Sequence, residues 1–140
     1  MTLDQVFDVA NTTALVGWIA LLFAPLAPRI IDGVAGYAIP TLLCVVYTAL
    51  IILYFGGADG GFDTLDNVVL LFTREELVLV GWVHFLAFDL FIGGWIVRTA
   101  RGDGMPFWLA LPCLPFALML GPVGLLMFLA IRAVHRARRA

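Results

Sequence analysis

Four long apolar stretches alternate with short polar ones along the chain, at about residues 13–27, 37–55, 77–97 and 107–131. Each approaches the roughly 20 residues that a helix needs to cross a 30 Å hydrocarbon core. The pattern predicts an all-α fold: one integral membrane domain over residues 1–140, a bundle of four transmembrane helices with a proline-kinked fourth. The third stretch, EELVLVGWVHFLAFDLFIGGWIVR at 75–98, carries His84 and Asp89 near its middle. With the span centred near Ala87, neither group reaches water easily. An aspartate at that depth costs about 2.5–3.5 kcal/mol on insertion scales, so a partner or a cavity must offset it. Ionisable residues inside a span are candidate functional sites for that reason.

The polar punctuation sets the connections. The first span is short, and the amphipathic lead-in 3–10 is expected to extend its helix into the interface. Pro25 and Pro28 close it. The connection 29–36 is brief, so spans one and two are expected to form a tight helical hairpin, with Pro40 in the first turn of the second, where a missing amide hydrogen does no harm. GGADGG at 56–61 breaks the helix, and a short interfacial helix at about 65–72 follows. Asp59, Asp63 and Asp66 invite a calcium reading, but in an EF-hand register from Asp59 the sixth and twelfth positions are Thr64 and Leu70, where glycine and glutamate are required. Span four holds Pro112, Pro115 and Pro122, the last within GPVG at 121–124. Interior prolines free carbonyls and kink or unwind a helix, and broken backbone at membrane depth is tolerated only against protein or a cavity. The carbonyls near Leu111 and Leu118 are candidate acceptors for Asp89 or His84. Gly93, Gly94, Gly121 and Gly124 would let helices three and four approach closely. A weak internal repeat, VGWIALLFAP at 16–25 against VGWVHFLAFD at 80–89, implies two hairpins of parallel orientation.

Composition agrees: 63% hydrophobic and 13% charged residues exclude an ordinary soluble domain. Cys44 and Cys113 lie inside spans with no metal-ligand spacing around them, so they read as small packing residues and no metal or other cofactor is expected. All eight basic residues are arginine, as in a GC-rich bacterial genome. Asp4 and Asp8 precede span one in place of a basic leader, which argues for a retained span. Four spans put both termini on one side, and Arg132, Arg136, Arg138 and Arg139 in the tail make that side cytoplasmic by the positive-inside rule, in a bacterial inner membrane. The basic tail is expected to touch anionic lipid, with no nucleic-acid partner.

The candidate chemistry lies on span three. Residues seven apart share a helix face, so Glu75, Trp82 and Asp89 form one stripe, while His84 lies about 140° from Asp89 and shares its face with Arg98. Polar groups in two directions suit a helix packed at the centre of a small bundle. Asp89, His84 and Glu75 are the candidate catalytic groups. Glu75 also suits a first-turn acid favoured by the helix dipole, and Arg98 an interfacial anchor. Trp82, Phe85, Phe88, Phe91, Trp95 and Phe116 could line a space for an elongated apolar ligand.

GWVHFLAFDLF at 81–91, Glu75 before it and GPVG in span four together resemble the plant abscisic-acid-deficient family of membrane proteins required for neoxanthin formation, and its bacterial relatives. Trp82, His84, Asp89, Leu90 and Phe91 are the most specific part of the likeness, which covers most of the chain. A bacterial member is expected to lack a plastid-targeting extension, and the chain differs in having a basic tail and a short middle loop. The resemblance implies a cofactor-independent membrane isomerase of a xanthophyll epoxide. A protonated Asp89 would act as the acid and neutral His84 as the base across a dry pocket. The alternative is a non-catalytic pigment-binding or accessory subunit, in a homo-oligomer or a larger membrane complex. Membrane lipid and a carotenoid are the expected partners.

Overall fold

The computed structural model describes residues 1–139, and every regular element among them is helical. Helix α1 (Leu3–Leu22) begins ten residues before its apolar run because Thr2 caps it. The Gln5 amide donates to Thr2 Oγ1 at 3.2 Å and the Thr2 amide donates to Gln5 Oε1 at 3.0 Å, a reciprocal capping box. The expected lead-in is therefore part of the helix. After Pro25 the chain turns back through α2 (Pro28–Gly33), a π-helical turn (Val34–Ala38) and α3 (Ile39–Tyr54).

These three pieces run on as one apolar helix from Pro28 to Tyr54, so the second span begins earlier than the hydropathy pattern indicates. Pro40 falls in the first turn of α3, as expected, although helical backbone already precedes it. A proline ring at 40 would strike the carbonyl of Gly36 in regular α geometry, and the wider π turn just before it relieves that clash. Helix α4 (Leu65–Leu71) is the short helix expected after the glycine break, capped by Thr64 Oγ1 accepting from the Asn67 amide. Asn67 also donates to Asp63 at 2.9 Å, and that bond holds the Asp63 carboxyl below its ordinary pKa.

Helix α5 (Glu75–Gly102) is the central element, packed against α1, the π turn, α3 and everything that follows it. It runs parallel to α1: Phe7 and Asn11 meet Trp82 near the start of both, and Trp18 meets Gly93 further on. Helix α3 runs antiparallel, with Tyr37 beside Phe91 and Tyr47 beside His84. Three helices are thus long and apolar enough to cross a membrane: α1, Pro28–Tyr54 and α5. The glycines expected to join helices three and four serve several neighbours. Gly93 receives the Trp18 ring, and Gly94 lies against Gly36 Cα.

The last apolar stretch departs most from expectation. It folds as α6 (Phe107–Ala110), α7 (Cys113–Leu120) and α8 (Pro122–Ala137). Helix α8 doubles back along α7. Gly124 lies against Ala117, Leu109 lines one crevice with Ile131 and Val134, and Gly104 lies against the Arg139 side chain. Pairs that close on one another around residue 121 define a helical hairpin whose tip is Gly121–Pro122. That tip rests against Asp89, halfway along α5, and α8 then returns to the end of α5. There Asp103 accepts from Arg132 Nε at 2.6 Å and from Arg136 Nη2 at 2.8 Å, and Arg139 donates to the Asp103 carbonyl at 3.0 Å. The hydrogen bonds from Arg132 and Arg136 hold the Asp103 carboxyl far below the usual carboxylate range.

The expected fourth span is therefore corrected to a hairpin that enters the bundle halfway and leaves where it came in. The expectation that both termini share a side falls with it: the chain starts at one end of the bundle and finishes at the other. Charge follows the same division. Asp4, Asp8, Asp59, Asp63, Asp66, Glu75 and Glu76 lie toward the starting end, with Arg74 as that end's one arginine; the other seven arginines lie toward the opposite end.

Candidate functional site

The hairpin tip stops halfway, so the half of α1 and α5 nearer the chain's start has no cover from α7 and α8. A cleft of about 750 Å³ fills that space. Its floor is α1 (Asn11, Ala14, Leu15, Trp18) and α5 (Trp82, Phe85, Leu86, Asp89), and its roof is the tip at 118–123. Asp89 sits where roof meets floor. Gly121 makes that contact possible, because a Cβ at 121 would run into the Asp89 carboxyl. The lining is otherwise almost wholly apolar, the character of a pocket for a hydrophobic ligand held by a few polar groups.

The Glu75, Trp82, Asp89 stripe behaves as helical periodicity requires. Trp82 and Asp89 line the main cleft. Glu75 lies at the outer end of the stripe, in a separate crevice of about 340 Å³ that it shares with Trp82, Asp4 and Thr73. Trp82 is thus common to both, and its indole N–H donates to Asn11 Oδ1 at 2.9 Å. Asn11 was not among the residues marked out in the sequence.

His84 points the other way. Its ring stacks on Phe88 at 4.7 Å between centroids and lies 5.6 Å from the Tyr47 ring. It lines a cavity of about 330 Å³ with Tyr47, Phe62 and Phe72, on the α3 side of α5. Phe85 lines both spaces and separates them. His84 and Asp89 therefore do not face one another across a single pocket, which corrects the paired acid–base arrangement. Of the remaining aromatic candidates, Phe88 belongs with His84. Trp95 packs edge-on against Phe128 at 5.6 Å, beneath Arg132, holding the hairpin to α5, and Phe116 is exposed on the hairpin's outer surface.

Arg98 shares the His84 face, as its spacing requires. Its guanidinium lies over the Tyr37 ring at 4.3 Å and near Phe91, against Gly36 and Gly94. A cation held between aromatic faces and two glycines beside a π turn fastens α3 to α5, and Arg101 pairs with Asp32 one turn further on. Its contacts with Tyr37 and Gly36 make Arg98 more than a surface anchor. Cys113 is buried in the core between the hairpin and α5, consistent with a packing role.

The fold and site together define an all-helical membrane protein with an ionisable group at the end of an apolar, partly roofed cleft. A family model described as ABA4-like (ABA DEFICIENT 4-like) matches residues 5–128, and the chain belongs to that family. Membership implies a role in neoxanthin synthesis in the carotenoid pathway. The match takes in the whole cleft, from Asn11 to Val123. No curated protein and no solved structure matches the chain.

Proposed function

We propose that the protein isomerises a xanthophyll epoxide in the cleft beneath the hairpin tip, with Asp89 as the acid–base group. The observation that carries this is a carboxyl where roof and floor meet in an apolar cleft of about 750 Å³, in a family tied to neoxanthin synthesis. Conversion of a 5,6-epoxide to an allenic alcohol is redox-neutral. The Asp89 O–H bond breaks as the epoxide oxygen gains its proton, and the carbon–oxygen bond on the polyene side breaks. The adjacent polyene carbon then loses a proton to the carboxylate just formed, leaving an allene and a tertiary alcohol. Proton gained and proton lost balance on one carboxyl, so the chemistry does not need His84, which lines a different cavity. Trp82, Phe85 and Trp18 flank the polyene. A dry wall protects the cationic stage from water.

The orientation that fits the charge distribution puts the arginine-rich end in the cytoplasm of a bacterial inner membrane. Asp89, beside the hairpin tip, then lies near the midplane. Arg132 follows Pro122 by ten residues, or about 15 Å of helix, half the hydrocarbon thickness. The hairpin thus fits one leaflet, and the cleft opens in the other, where a membrane-dissolved carotenoid enters sideways.

The test is the pigment profile of a violaxanthin-producing host carrying wild type, Asp89→Asn or His84→Gln. Asparagine keeps size and a hydrogen-bond donor but cannot deliver a proton, so turnover should fall by at least about 10²-fold in Asp89→Asn. His84→Gln should cost far less. Full activity in a folded Asp89→Asn variant would remove the assignment. Wild type that leaves every carotenoid unchanged yet retains one through purification would instead make this a pigment-binding subunit.

A further inference from the structure

The Trp82–Asn11 hydrogen bond settles which way a side-chain amide points. An indole N–H can only donate, so the Asn11 atom at 2.9 Å from it must be the carbonyl oxygen. The amide –NH₂, with two donor hydrogens, is then turned away from Trp82. It has no partner among the described residues, although Asn11 is half-buried and lines the cleft. Trp18, on the same wall of α1, is buried and its indole N–H is also without a partner. The Trp18 nitrogen is sealed from the cleft, so the donor this wall presents to a ligand, with nothing to receive it among the described residues, is Asn11 Nδ2. Donors facing hydrocarbon cost free energy, and a ligand oxygen placed there recovers it.

We infer that Asn11 is a specificity-determining residue of the cleft, donating through Nδ2 to an oxygen on the ligand's end group and so selecting oxygenated carotenoids over hydrocarbon ones. The inference rests on the carotenoid reading and adds to it the atom that recognises the end group. Trp82 is the positioning residue: by occupying Oδ1 it prevents the amide from flipping, which would present an acceptor to the ligand. Asn11 and Asp89 stand at different depths, since Trp82 and Asp89 are seven residues, about 10.5 Å of helix, apart. Recognition and chemistry therefore fall on different oxygens of the ligand. A pocket that hydrogen-bonds an oxygen rejects the analogue lacking it, because its own polar group is left unpaired.

The experiment uses the full chain in lipid nanodiscs and two probes, zeaxanthin and β-carotene, which differ only in two hydroxyl groups. Wild type should bind zeaxanthin about tenfold more tightly, the equivalent of one net hydrogen bond of about 1.4 kcal/mol. Asn11→Leu, of similar volume, should abolish the preference by weakening zeaxanthin while β-carotene binding holds or improves. Trp82→Phe keeps an aromatic ring and removes the lock, so it should narrow the preference while leaving Asn11 in place, which guards against a misfolded Asn11→Leu protein. Equal, tight binding of both probes by wild type, or undiminished preference in folded Asn11→Leu, overturns the role of Asn11 and leaves the carotenoid reading standing. Binding of neither probe overturns both.

Discussion

A methyl group added at Gly124 would meet the backbone nitrogen and Cα of Ala117, atoms that cannot turn aside as a side-chain tip can. Gly124→Ala is therefore expected to wedge α7 from α8 and destabilise the protein by about 1–3 kcal/mol, the usual range for overpacking. Gly33 has nothing within 4 Å of the same added atom, so Gly33→Ala serves as the neutral control in a thermal unfolding comparison. An equal loss of stability in both variants would deny the tight α7–α8 contact. Periodicity alone put Trp82 with Asp89 and His84 with Arg98, and those pairs do share faces, because helix geometry fixes side-chain direction within one element. Asn11 was illegible for the opposite reason. An amide near the start of a span is ordinary there, and its meaning comes from a partner 71 residues away.

At the scale of elements, the hairpin depends on one carboxylate. Asp103 follows the last turn of α5 and gathers Arg132, Arg136 and Arg139, while the arms of the hairpin are held by apolar packing of Ala110, Leu114, Ala117 and Phe128. Asp103→Asn should loosen the base of the hairpin and raise hydrogen exchange along α8 beyond Phe128, leaving α1 and α3 protected. Its pH dependence has a definite sign. The folded-state pKa is depressed, so the stabilisation is present above the ordinary carboxylate value of about 4 and is lost as pH falls through the lower folded value. Protection factors in α8, which remove the intrinsic pH dependence of amide exchange, should thus be flat from neutral pH to about 5 and fall only in stronger acid; a fall beginning near pH 6 would assign the fastening to another group. The sequence announced the break at Pro112 and GPVG but not the reversal. Twenty-five apolar residues satisfy a hydropathy window whether they cross or turn back, and the deciding contacts, Asp103 with Arg132 and Gly124 with Ala117, pair residues the window treats separately.

For the whole molecule, replacing a fourth span by a hairpin changes which charges sit together, and that decides orientation. With four spans the arginines divide five against three; with the tail returned to the end of α5 they divide seven against one. The weak bias becomes a strong one, and by the positive-inside rule the chain's start and the 56–74 segment are expected outside the cytoplasm. Single cysteines test this in a background where Cys44 and Cys113 are replaced. One at Asp59 should react with a membrane-impermeant maleimide on intact spheroplasts, whereas one at Arg138 should react only after permeabilisation. Labelling of both from the same side would restore the fourth span and close the route by which a ligand enters from the outer leaflet. The two ends of the bundle are linked as well, since the hairpin, seated from the arginine-rich end, ends as the roof over Asp89. If Asp59 is labelled from outside and Arg138 is not, the cleft lies in the leaflet away from the arginines, and a carotenoid must reach Asn11 and Asp89 from there.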